Sequence, residues 1–364
     1  MISRRAAMGT FAALTLSLAA CGRDAGETAD SGSNDSTAPA KGGAQVRGSI
    51  KGAGATSQSD AQDAWMNAFM DANPDADVQY GGGGSGAGRE KFLAGAVDFC
   101  GSDSAMKDEE LATAGDIIEV PAYISPIAIC YKLAGFEGDN HVQMSASTVA
   151  KVFSGAITSW DAPEIAADNP GVTLPSTPII VVHRSDKSGT TKNFTDFLSK
   201  AAPQDWTNKA EEVWPFDGQS GDGTSGMVTT VAGAEGAIGY ADESKVDTSA
   251  LGTISVGLEG TFVPPSAQAA AKALEASKPA EGATDTVMAY SISRNTAGTY
   301  PVILVSYLIA HQKYDDADIA DTVKAYLSYC VSEEGQQQAH DKAGSAPLTD
   351  ALRTKVMAAV ETIQ

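Results

Sequence analysis

The chain has 364 residues, 43% of them hydrophobic and only 20% charged, with a formal net charge of −21. That length and apolar content suffice for two packed domains. The acidic balance leaves no basic face to follow a nucleic-acid backbone, and four scattered histidines offer no metal-ligand spacing.

The N-terminus looks like a targeting segment. Arg4 and Arg5 form a basic start, and residues 6–20 are an apolar run of small residues, too short to span a bilayer. The run ends in Leu18-Ala19-Ala20-Cys21, which resembles the lipobox of bacterial lipoproteins. This resemblance implies cleavage before Cys21, a lipid on its sulfur, and a protein held on the outer face of the cell membrane by that anchor alone. A plain secretory signal with a coincidental Cys is the alternative. Ser3-Arg4-Arg5 also resembles the start of a twin-arginine signal, but Ala6 and Ala7 replace the usual bulky residues, so the export route stays open. Residues 1–20 are thus expected to be a signal peptide and 21–46 a lipidated tether, rich in Gly, Ser, Ala, Asp and Thr. About 25 flexible residues span roughly 25–30 Å. Three further cysteines, Cys100, Cys130 and Cys330, allow one disulfide in three ways, or three buried thiols.

From residue 46 the chain repeats one unit: a short apolar strand, a Gly-rich turn, then a helix. Residues 46–50 form the first strand, and Thr56 and Ser57 stand where the helix over 58–70 begins, which Asn73-Pro74 stops. Residues 77–80 form the second strand, followed by a glycine run ending near Ser85 and a short helix over 89–94. That run matches a dinucleotide fingerprint only trivially, and Arg89-Glu90 stands where a P-loop needs Lys-Ser/Thr. Residues 97–100 form the third strand, with Asp103 in the loop beyond it. Two apolar strands over 117–120 and 123–131 follow, the second long enough to cross between domains.

Residues 179–182 predict another buried strand, and a helix follows over 193–199. Between them lies His183-Arg184-Ser185-Asp186-Lys187-Ser188-Gly189-Thr190-Thr191. Unpaired N–H groups at a helix N-terminus, two hydroxyls, a Gly and an Arg make an anion cradle. An ordinary Ser/Thr cap beside an exposed Arg is the alternative. Residues 218–226 are expected to be a loop, 227–231 a helix and 237–240 a short strand. Residues 302–310 are apolar enough to return the chain to the first domain, and terminal helices are expected over 322–330 and 348–363.

Several motifs, in a consistent order, carry a resemblance. They include Gly52-Ala53-Gly54-Ala55-Thr56, the glycines before Ser85, Val97-Asp98-Phe99 with Ser102-Asp103, and Val152-Phe153-Ser154-Gly155 with Trp160. Arg184-Ser185-Asp186 with Ser188-Gly189-Thr190 and Gly236-Ala237-Ile238-Gly239-Tyr240 complete them. From about residue 49 onward the chain resembles the PstS family, the phosphate-binding proteins of bacterial high-affinity phosphate ABC transporters.

The resemblance implies an α/β fold of the type II periplasmic binding protein class, with lobe I over 47–125 plus 301–364 and lobe II over 126–300. Two crossing strands form the hinge. It implies inorganic phosphate as ligand, no cofactor, no enzymatic activity, a monomer, and delivery to the permease subunits of an ABC importer. The hydroxyls matching Thr56, Ser85, Ser188 and Thr190 would hold the ion, with backbone N–H groups of Ser57 and Gly189, the Asp103 carboxylate and the Arg184 guanidinium. Asp186 would hold the Arg. Ser57 stands where an aromatic is common in the family, so only its backbone is expected to contribute, and Lys187 replaces a frequent Gly. Another tetrahedral oxyanion, or a phosphate-ester hydrolase, are the rival readings.

Overall fold

The computed structural model describes residues 46–138 and 142–364; the expected signal peptide, Cys21 and all but the last residue of the tether lie outside the described residues. Strand β1 (Gly48–Gly54) leads to helix α1 (Ser59–Ala72), β2 (Ala76–Gly81) to α2 (Ser85–Leu93), and β3 (Phe99–Ser102) to α3 (Asp108–Ala114). Helix α1 forms because Ala61, Trp65 and Phe69 recur at four-residue spacing and share one buried face. Next come β4 (Ile117–Tyr131), β5 (Gln143–Ser145), α4 (Ala146–Phe153) and α5 (Pro163–Asp168). The repeated unit then returns as β6 (Ile180–Arg184), α6 (Gly189–Ala201), β7 (Gln219–Gly221), α7 (Gly223–Ala232) and β8 (Ala237–Asp242). Short strands β9 (Gly252–Thr253), β10 (Ser255–Leu258) and β11 (Thr261–Val263) precede α8 (Ala267–Glu275), β12 (Lys278–Pro279) and β13 (Tyr290–Ser291). Strand β14 (Ile303–His311) and helices α9 (Ala317–Val331), α10 (Glu333–Ala343) and α11 (Asp350–Val360) end the chain.

Nine strands form the main sheet in the order β2-β1-β3-β14-β4-β8-β6-β7, with β9 beside β4. The sheet consists of two parallel blocks, β2-β1-β3 and β8-β6-β7, separated by antiparallel β14 and β4. Strand β4 belongs to both: through Pro126 it pairs with β14, and from Ile127 onward with β8. The chain recrosses at the same level, where Ile127 N donates to Val302 O at 2.7 Å. The apolar core is continuous through both blocks. Phe99 packs on Tyr326 in the first, with ring centroids 5.5 Å apart, and Phe194 on Tyr240 in the second, at 4.4 Å.

Three sequence expectations change. The apolar runs 117–120 and 123–131 are one strand, because Pro121 between them and Pro126 within the second fall where a ladder tolerates them. The register slips between Pro121 and Tyr123, a bulge where no Pro N–H is needed, and Pro126 stands where β4 changes partner. Residues 218–226 contain β7 and the start of α7 instead of a loop. Helix α10 was not expected, since it buries only Gly335, Gln336, Ala339 and Ala343 and shows no strong apolar period. Cys100, Cys130 and Cys330 are all buried free thiols; burial pushes the Cys130 thiol up to about 12 and raises the other two as well. Among the described residues no helix is long and apolar enough to cross a membrane.

Candidate functional site

The C-terminal ends of β1, β2, β3, β6 and β7 meet in one place, where open α/β sheets carry ligand residues. After β1, Thr56 is half-buried and stands three residues before the start of α1. Its Oγ1 lies 2.8 Å from Thr224 Oγ1, and it accepts from Thr224 N at 3.0 Å and Arg184 Nη2 at 3.2 Å. After β2, positive φ angles at Gly83 and Gly84 turn the chain so that Ser85 opens α2, buried. Ser85 Oγ accepts from Asp103 N at 3.1 Å.

Asp103 follows β3 and is 3% exposed. Ser57 and Ser306 hydroxyls donate to its Oδ1 at 2.7 and 2.5 Å, and Thr190 Oγ1 donates to Oδ2 at 2.9 Å. Asn193 Nδ2 donates to its backbone oxygen at 2.7 Å. Burial pushes the Asp103 carboxyl above the ordinary carboxylate value. The Ser306, Ser57 and Thr190 hydroxyls and the Arg184 guanidinium pull the other way.

On the second block, β6 ends in Arg184, buried and doubly bonded to Asp186: Nε to Oδ1 at 2.7 Å and Nη2 to Oδ2 at 2.5 Å. Asp186 also accepts from Gly223 N at 3.1 Å. Ser188 is the N-cap of α6, accepting from Thr191 N at 3.2 Å. A capping hydroxyl still has its proton to donate, so capping and ion binding are compatible roles for one side chain. A Cβ at Gly189 would stand 2.6 Å from Ser85 Oγ and 2.7 Å from Asp103 Cβ, so only Gly lets the two blocks meet here.

All eight residues expected at the site, with Asp186, therefore lie in one connected cluster. Two features differ from the sequence reading, which leaves Lys187 open between adding local charge and pointing outward. The Ser57 side chain is engaged, as a support for Asp103. Lys187 points outward and pairs with Glu90 across the seam at 2.5 Å. Thr224, Ser306 and Asn193 were missed. Thr224 was legible: Gly221-Asp222-Gly223-Thr224 repeats the turn that precedes α1 and α2, but β7 before it has no apolar residue to reveal a strand. Ser306 had no local signal, since it lies inside an apolar run.

A family model described as the PBP superfamily domain matches residues 39–334. The phosphate-binding protein PstS 3 of Mycobacterium leprae is 32% identical over 98% of both chains. PstS of Haemophilus influenzae is 32% identical over 80% of this chain and 86% of its own. Among solved structures, the high-affinity periplasmic phosphate-binding protein PfluDING, with phosphate bound, is 25% identical with a TM-score of 0.69, covering 85% of this chain and 93% of its own.

Proposed function

This chain belongs to the PstS family of phosphate-binding proteins, and we propose on that premise that it captures inorganic phosphate between two lobes and hands it to an ABC importer. It acts as a solute-binding protein and not as an enzyme. Lobe I comprises 47–125 and 301–364, and lobe II 126–300; the partner exchange of β4 at Pro126 and the return at Val302 support those limits. Thr56, Ser57 N–H, Ser85 and Asp103 hold the ion from lobe I. Arg184, Ser188, Gly189 N–H and Thr190 hold it from lobe II, with Asp186 fixing the Arg.

The observation that carries this reading is a buried carboxylate in an anion site. An ionised carboxylate offers about four acceptor positions. Ser57 and Ser306 take two of these on Asp103 Oδ1 and Thr190 a third on Oδ2, with a proton that it can turn to the ion instead, so at least one position stays open. Phosphate near neutral pH still carries a proton and can donate to that position. Sulfate carries none and would meet it lone pair against lone pair, a repulsion that selects as strongly as the attractions do. Each helix terminus contributes roughly 0.3–2 kcal/mol and each charge-assisted hydrogen bond about 1.5–3 kcal/mol. Micromolar affinity needs about 8 kcal/mol net. The ion touches both lobes and so favours the closed state.

The motif at Leu18-Ala19-Ala20-Cys21 supports a cleaved signal peptide and a lipid on Cys21. The protein would then work outside the cytoplasm as a tethered monomer beside its permease. Calorimetric titration with phosphate, with and without millimolar sulfate, tests the function. Phosphate binding indifferent to sulfate is expected. No phosphate heat would remove the reading, and sulfate competition would favour a less selective oxyanion carrier.

A further inference from the structure

We propose that Arg89 and Glu212 form a closing latch, an ion pair made across the cleft that holds Ser188 and Gly189 against Ser85 and Asp103 and so sets how slowly phosphate leaves. This rests on the phosphate-binding, two-lobe reading above.

Helix α2 begins with Ser85, and Arg89 lies one turn later on the same face. Arg89 is 1% exposed. Its Nε donates to both Glu110 oxygens at 3.1 and 3.0 Å, and its Nη1 to Ser102 Oγ at 2.9 Å. These partners belong to lobe I, so the guanidinium is aimed before lobe II arrives. Its Nη2 then meets Glu212 of lobe II, donating to Oε2 at 3.0 Å with Oε1 at 2.9 Å. Burial works against the charge of Arg89, but Glu212 and Glu110 outweigh it and hold the guanidinium above the ordinary arginine value.

Glu212 touches the site from its other end. Its backbone oxygen accepts from Ser188 N at 3.0 Å, beside the N-terminus of α6. The seam between these residues is tight. Gly86 N donates to Lys187 O at 3.2 Å, and a Cβ at Gly86 would stand 2.7 Å from Lys187 Cβ. Among the described residues, neither the Arg89 nor the Glu212 side chain bonds to a residue proposed to touch phosphate. The pair therefore acts on closure and not on recognition. In an open protein Arg89 keeps Glu110, while Glu212 returns to water. Closure exchanges that hydration for a buried guanidinium, so the contact forms wholly or not at all. Nearby Lys187–Glu90 spans the same seam but both side chains are more than half exposed, which makes it a built-in control.

Stopped-flow release and calorimetry on the full chain test the latch. Glu212→Gln should speed phosphate release by at least about tenfold, because it leaves a buried guanidinium partly unpaired. Association should change by less than about twofold, since affinity changes of one interface fall mostly on release. Ligand-free melting should stay unchanged while the phosphate-induced rise in Tm shrinks. Arg89→Lys, which keeps the charge but loses the fork, should also speed release. Glu90→Gln should shift release by less than about twofold. Release at the wild-type rate in both Arg89→Lys and Glu212→Gln overturns the latch, as does an equal loss of ligand-free and loaded Tm, which marks a purely structural pair. If the unaltered protein binds no phosphate, the functional reading itself has failed; phosphate binding with unaltered release fails the latch alone.

Discussion

The strand ends of the first block present hydroxyls and a carboxylate, Thr56, Ser85 and Asp103, whereas those of the second present a guanidinium and a capped helix N-terminus, Arg184 with Ser188, Gly189 and Thr190. Each charged group is fixed from its own side: Ser57, with Ser306 on the neighbouring strand β14, holds Asp103, and Asp186 holds Arg184. Each then receives one hydroxyl from across the cleft, Thr190 on Asp103 and Thr56 on Arg184. On the proposed reading the second block would supply attraction and the first a test of the ion, each with its charged group already held by neighbours on its own side. Preorganisation of this kind lowers the cost of binding, because little side-chain freedom is left to lose.

Removing the attraction should have the largest effect. Arg184→Ala strips the cation and leaves Asp186 buried without its partner, so phosphate affinity should fall by about 3–5 kcal/mol. A calorimetric titration matching the wild type would put the grip elsewhere. Next, Gly189→Ala places a methyl against Ser85 and Asp103, which should weaken binding by about 1–3 kcal/mol through incomplete closure. Small-angle scattering with saturating phosphate should show a larger radius than wild type. An unchanged radius and affinity would mean that the blocks do not need to meet at Gly189.

Asp103→Asn should separate gripping from testing. Phosphate affinity should fall by about 1 kcal/mol, while millimolar sulfate begins to compete, because an amide can donate where the carboxylate repels. Continued exclusion of sulfate would falsify the repulsion account.

The smallest effect belongs to the junction between the blocks. Asp242 lies opposite Ile127, where β4 changes partner, and accepts from Tyr123 and Ser244. Burial pushes its carboxyl up to about 7, and likewise that of Glu119 on β4. Below about pH 3 both groups are protonated in the folded and unfolded chain alike. Between there and about 7 the unfolded chain ionises while the folded chain keeps its protons, so these groups make stability fall as pH rises. Asp242→Asn should flatten part of that fall in melting curves recorded over the same window. An unchanged slope would show that Asp242 keeps an ordinary carboxylate pKa.

The charged half of the comparison is more legible in sequence than the supporting half. Arg184, Asp186, Ser188, Gly189 and Thr190 lie within one short stretch, between an apolar strand and an amphipathic helix, so local pattern suffices to place them at a helix N-terminus. Thr56 and Ser85 follow from strand–turn–helix units that recur. Asp103 carries a strand-end position and the family resemblance. Its supports do not: Ser306 is 203 residues away along the chain and Ser57 is 46 residues away.

The sequence by itself determined most of the strand–turn–helix units, their turns and the family, because strand and helix periods and Gly-Ser-Thr turns act over a few residues. Only the tertiary structure decided that β4 is one strand running past two prolines, that Ser306 supports Asp103, and that Arg89 reaches Glu212. Those outcomes rest on which strand ends lie side by side in the sheet, and contacts between residues far apart in the chain leave no spacing to read.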